Sequence, residues 1–113
     1  MIVQDQTEQV QKNCGITPST QLKIQPADET LAKLAKAIAH PVRVAILRYL
    51  IEQEECVCTD LTEVVPLAHS TAMQHLKVLK EAGLVCGSPE GRNVYYCIDP
   101  KVLNQLKLLI HDL

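Results

Sequence analysis

The hydrophobic pattern of the chain changes period several times, and each change marks an element. Asp28-Glu29-Thr30 precede Leu31, Leu34, Ala35 and Ile38, an apolar stripe of helical spacing with acid in its first turn. Pro41 ends or kinks that helix. It also stands at a first-turn position ahead of Val44, Ile46, Leu47 and Leu50, so the spacing predicts a buried second helix over 41–51. Asp60 with Glu63 three residues later resembles a capping box and predicts a short helix over 61–65, closed by the turn at Pro66-Leu67. From 69 to 82, Thr71, Ala72, His75, Leu76, Val78, Leu79 and Ala82 fall on one broad arc, and Ser70, Met73, Gln74, Lys77 and Glu81 on the other. His75 therefore reads as a satisfied core or edge histidine. Gly83 suits a left-handed cap.

Residues 84–88 and 92–98 are rich in strand formers and flank Pro89-Glu90-Gly91, a hairpin signal. Asp99-Pro100 then supplies a helix cap and a first-turn proline, and Val102, Leu103, Leu106, Leu109, Ile110 and Leu113 make a wide apolar stripe to the chain end. The order helix, helix, short helix, turn, helix, hairpin, helix predicts a mainly α (α+β) winged helix-turn-helix whose terminal helices offer a dimer surface.

Composition narrows the picture. The 113 residues, 47% hydrophobic and 21% charged, suffice for one domain. Residues 1–25 hold six glutamines and little apolar periodicity, which predicts a flexible arm carrying Cys14 ahead of a folded domain over 26–113. No apolar run approaches the roughly 20 residues of a membrane span, and residues 1–12 lack a signal-peptide pattern, so a cytoplasmic protein with no membrane partner is expected. A phosphate loop, HExxH and a nucleophile elbow are all missing, which argues against an enzyme and against an organic cofactor.

Charge is uneven. Residues 31–51 carry a net +4 and residues 52–65 a net −5, the latter centred on Cys56 and Cys58. Outside that acidic segment the chain is mildly basic, as contact with DNA through one face would allow. Five cysteines in a chain read as cytosolic point to reduced, metal-binding or redox-active thiols.

AHPVRVAIL at 39–47, CVCTDLTEVVPLAHSTAMQHLKVLKEAGLV at 56–85 and EGRNVYYCI at 90–98 occur in order at the spacings of a known family. Over about residues 28–113 the chain resembles the ArsR/SmtB metal-sensing winged-helix repressors. The resemblance implies a homodimer that binds double-stranded operator DNA in the apo state and releases it when a metal or metalloid fills a thiol site. Carried over residue by residue, the base-reading positions are His69, Ser70, Met73 and Gln74, with Lys77 on the same outer face. His69 and Met73 replace the family's usual Gln and Ser. Arg92, at the hairpin tip, is placed to reach a phosphate or an adjacent minor groove. Leu31, Leu34, Val102, Leu106, Leu109 and Leu113 are the expected dimer-facing residues of the terminal helices.

The thiol site is expected at Cys56-Val57-Cys58 with Cys14. In an extended stretch alternate residues share a side about 6.6 Å apart, within reach of one ion, whereas in a helix they diverge by about 200°. As(III) takes three sulfur ligands in a trigonal pyramid, the number that Cys14, Cys56 and Cys58 supply. The family's Cys-Val-Cys-Asp-Leu is here Cys-Val-Cys-Thr-Asp-Leu, which moves both thiols one residue from the following helix. A Cd(II) or Pb(II) sensor is the nearest alternative, because five local acids favour a cation. A redox sensor pairing Cys56 or Cys58 with Cys14 ranks third, since acid neighbours oppose a reactive thiolate. His111-Asp112 has no ligand partner one turn away, which disfavours the family's zinc site on the last helix. With the turn at Ser88–Gly91, Cys86 would oppose Asn93 and lie about 13 Å from Cys97, so both read as small strand residues, the alternative being that Cys97 meets a thiol from another element.

Overall fold

The computed structural model describes residues 21–53, 56–57, 63–91 and 93–113. Helices α1 (Pro26–Ala37) and α2 (Pro41–Glu52) lead to α3 (His69–Glu81), strands β1 (Val85–Glu90) and β2 (Asn93–Ile98), and α4 (Pro100–His111). This is the winged helix-turn-helix order that the hydrophobic pattern predicts. Cys14, Cys58 and Arg92 lie outside the described residues, as does the start of the short helix expected over 61–65.

Local chemistry explains most of the boundaries. α1 starts at Pro26, two residues earlier than its acid signal suggests, because a first-turn proline has no N–H to satisfy. Asp28 stays in that turn, where its Oδ2 accepts the Gln25 N–H at 2.8 Å. His40 caps α2, its Nδ1 accepting the Val42 N–H at 3.1 Å. At the end of α3, Gly83 takes φ +85° and the Leu84 N–H donates to the Leu79 carbonyl at 3.1 Å, which turns Leu84 into the core.

Asp99 begins α4, its Oδ1 accepting from the N–H groups of Lys101 and Val102 at 2.9 and 3.4 Å. Asp99→Ala is expected to cost about 1 kcal/mol, seen as a lower urea midpoint. An unchanged midpoint would mean that Pro100 alone sets this helix start.

The core joins Leu34 of α1, Leu47 of α2, Leu76 and Leu79 of α3, Leu84, and Leu106 of α4. α1 packs on α4, α2 on α3 and β2, and α3 on β1, so the helix expected to read DNA is held from both sides. Thr71, placed on the inner arc from its spacing, is exposed, and α3 buries a narrower stripe of Ala72, Leu76 and Leu79.

Two of the expected dimer-facing residues are corrected by burial. Leu34 and Leu106 are 3% and 4% exposed within a single chain, so the intrachain core consumes them. Leu31, Val102 and Leu109 are partly buried against that core. Leu108, Ile110 and Leu113 remain open at 54%, 51% and 93%, which moves the apolar surface available to a second chain toward the end of α4.

The hairpin is tighter than its sequence signal. Glu90 pairs with Asn93, leaving a two-residue connection at 91–92, and Gly91 has φ +63°. Pro89 is a strand residue opposite Val94, not part of the turn. β2 is flanked by both β1 and Val57, which leaves β1 at an edge, where a proline N without hydrogen faces outward and breaks no ladder bond. The register places Cys86 directly opposite Cys97, which overturns the expected Cys86–Asn93 pairing and the 13 Å separation built on it.

Candidate nucleic-acid interface and thiol row

The outer face of α3 is built by subtraction. Once Ala72, Leu76 and Leu79 are committed to the core, helical spacing leaves His69, Ser70, Met73, Gln74 and Lys77 exposed on the opposite side. They border an open groove of about 670 Å³ that runs on along the same helix past Lys80 and Glu81 and meets the wing at Tyr96. Such a face presents a hydroxyl, an amide and cations between a helix and a hairpin, the chemistry that base edges and phosphates require.

Lys80 extends this face beyond the sequence-derived set. Its side chain lies over Gly87 of β1, where an added Cβ would stand 2.9 Å from Nζ. The signal in the sequence is a second lysine one turn after Lys77, but the glycine that makes room for it becomes evident only once β1 is packed on α3.

Arg43 is the other residue that sequence spacing missed. Its Nε donates to the Ala37 carbonyl at 2.6 Å and its Nη2 to the Lys36 carbonyl at 3.4 Å, satisfying acceptors at the C-terminal end of α1. Its Nη1 faces His75 Nδ1 at 3.1 Å, and the His75 ring lies against His40 with centroids 4.3 Å apart. Arginine only donates, so His75 Nδ1 accepts and the ring is neutral with its proton on Nε2. Burial, with His40 and Arg43 adding to it, lowers the His75 pKa from its ordinary 6.5. His75 is thus the satisfied edge histidine that its inner-arc position suggests, and Arg43 fixes α3 against α1 and α2.

The cysteines meet on the wing. Val57 and Tyr96 exchange both backbone hydrogen bonds at 2.9 Å, an isolated antiparallel bridge that sets Cys56-Val57 alongside β2. Cys56 therefore stands beside Cys97, and the two are joined as a disulfide with Cα atoms 4.6 Å apart. Cys86, opposite Cys97 on the other side, is an exposed free thiol. Of the expected ligand set, Cys56 is the one member among the described residues, and its sulfur is bonded to Cys97. Among the described residues, no three His, Cys, Asp or Glu side chains are grouped to hold a metal ion. His111 and Asp112 sit 3.4 Å apart on open surface at the end of α4.

A helix presented beside a two-stranded wing, with an amide and lysines outward, defines a winged helix-turn-helix DNA-binding protein. A helix-turn-helix domain model matches residues 38–85. The cadmium resistance transcriptional regulatory protein CadC homolog of Staphylococcus aureus is 37% identical over 93 residues, covering 80% of this chain and 74% of that one. The transcriptional repressor SmtB of Mycobacterium tuberculosis is 40% identical over 68 residues, 60% of this chain, and the match spans half of its own length. A crystal structure of a possible transcriptional regulator for arsenical resistance superposes with TM-score 0.61 at 36% identity, covering 71% of this chain and 82% of that one. The chain belongs to the ArsR/SmtB family of transcriptional regulators.

Proposed function

We propose that the protein is a repressor that binds operator DNA as a homodimer when its thiols are reduced and unoccupied, and lets go when As(III) is bound by Cys14, Cys56 and Cys58. The observation that carries this reading is the position of Cys56. It lies in an extended segment bonded to the wing through Val57, while the wing packs against the DNA-facing helix. A ligand that pulls Cys56 toward Cys58 and Cys14 has only the Val57–Tyr96 ladder between itself and the groove at Tyr96. A coupling of about 3 kcal/mol through that ladder would change operator affinity more than a hundredfold. The arsenical-resistance description of the 36%-identical structure supports the metalloid. Exposed Leu108 and Ile110 on α4, with Leu113 just beyond its end, support a second copy as partner.

The test is fluorescence anisotropy of the reduced protein on a promoter fragment, titrated with arsenite. Release near one equivalent per protomer, lost in Cys14→Ser with DNA binding intact, is the expected result. Release by Cd(II) or Pb(II) but not arsenite would transfer the reading to a cation sensor, for which the S. aureus CadC homolog is the precedent in name. The docking face has its own check. Lys77→Gln should weaken operator binding and lower the slope of log affinity against log salt by about 1, as loss of one phosphate contact does. An unchanged slope would take Lys77 off the phosphate backbone.

A further inference from the structure

Three cysteines stand in one row across the wing sheet, Cys56, Cys97 and Cys86, yet their two gaps are not equivalent. Tyr96 spends both backbone groups on Val57, so the alternation of an antiparallel ladder turns those of Cys97 toward β1. The Asp99 N–H bond to the Leu84 carbonyl has the same parity. Cys97 and Cys86 are consequently a hydrogen-bonded pair, a type in which Cα atoms usually stand about 5.5 Å apart, and Cys97 and Cys56 a non-hydrogen-bonded pair, where about 4.5 Å is usual. The 4.6 Å observed for Cys56 and Cys97 fits the closer geometry, which selects Cys56 over Cys86 as the partner of Cys97. The whole row is too wide for one metalloid, because its outer members are two strand spacings, or about 9.6 Å, apart at the backbone.

We propose that the Cys56–Cys97 pair is a reversible oxidation site that gates the arsenite response, with hydroperoxides as the oxidant class. The proposal rests on the reading of Cys56 as an arsenite ligand. Cys56 is the more exposed of the two, so its sulfur is the one a peroxide reaches, and the acidic neighbours that oppose a thiolate there slow the attack without redirecting it to the less exposed Cys97. A sulfur–oxygen bond forms and the O–O bond breaks, leaving a sulfenic acid and releasing water or an alcohol. The Cys97 sulfur then attacks the Cys56 sulfur. The S–S bond forms, the S–O bond breaks, and hydroxide departs as water with the Cys97 proton. Two thiols lose two electrons and the peroxide gains them. A chain that works on DNA meets a thiol-reducing pool, so a bond of this kind is transient and reporting rather than permanent. While it exists, only two of the three arsenite thiols remain.

The test uses full-length protein, oxidised with hydrogen peroxide, desalted to remove excess oxidant, and mapped by non-reducing peptide mass spectrometry. A Cys56–Cys97 peptide is expected, and a dominant Cys14–Cys56, Cys56–Cys58 or Cys86–Cys97 linkage would overturn the proposal. In anisotropy, the oxidised protein should need at least tenfold more arsenite for release than the reduced one, with full recovery after dithiothreitol. Cys97→Ser should keep the arsenite release of the reduced protein and lose its sensitivity to peroxide. Equal arsenite response before and after oxidation would also overturn the gate. If the reduced wild type ignores arsenite while the Cys56–Cys97 linkage forms and reverses, the arsenite reading fails and the oxidation site stands.

Discussion

Leu79→Ala is expected to be among the most damaging truncations of the described residues. Leu79 is fully buried, on the face of α3 opposite the DNA groove, and its carbonyl accepts the N–H of Leu84 in the turn that closes the helix. Removing three carbons there loses transfer free energy and leaves a cavity, together about 2–5 kcal/mol. A domain of this size has about 5–15 kcal/mol in total, so the variant stands near the edge of folding. Urea denaturation followed by circular dichroism measures the loss, and operator binding should weaken in proportion to the unfolded fraction. Met73→Ala supplies the contrast. Met73 lies on the outer face of the same helix at 39% exposure, and its truncation should change stability by less than about 0.5 kcal/mol. Equal losses at the two positions would mean that the buried and outward faces of α3 have been exchanged.

That division of α3 was legible because helical spacing acts within a few residues. The same holds for the Asp99-Pro100 start of α4, the Gly83 stop and the proline between α1 and α2, each of which works through neighbours less than two turns away. The failures have a common cause in strand pairing. Pro89 carries a turn signal, and nothing local announces that it will sit at a sheet edge where its missing N–H costs nothing. Moving the turn by two residues shifted the register and so separated Cys86 from Cys97, which are in fact opposite one another. The extended backbone at Cys56 could be argued from the spacing of its two thiols. Its partner Cys97 is 41 residues away and becomes a neighbour only through the Val57–Tyr96 bonds. Leu34 and Leu106 show the same limit for surfaces, since an apolar stripe says that a helix face is covered but not whether its own chain covers it.

Arg43 reaches across 32 residues of sequence to His75, and its removal should combine the largest functional loss with a change in pH dependence. Arg43→Met keeps much of the aliphatic bulk but withdraws the donors that satisfy the carbonyls of Lys36 and Ala37 and the Nδ1 of His75. The two part-buried bonds from a charged donor are each worth about 1.5–3 kcal/mol at most, and water can replace the exposed one to Lys36, so a total cost of about 2–4 kcal/mol is expected. Because α3 is then held less firmly against α1 and α2, operator affinity should fall even under conditions where the variant is folded. The pH dependence follows from His75. Its pKa in the folded chain is lowered from 6.5 by burial first, then by His40 and Arg43, so the unfolded chain binds the proton more readily. Stability from this group is complete above about pH 6.5 and drains as the pH falls below it, when a protonated Nδ1 can no longer accept from Arg43. Arg43→Met removes one of the three influences that lower the His75 pKa, so His75 titrates nearer its ordinary value. The variant should therefore start less stable at pH 7.5 and lose less on acidification than the wild type. Urea midpoints at pH 7.5, 6.5 and 5.5 decide the matter, and parallel pH profiles for the two proteins would remove Arg43 from the control of His75.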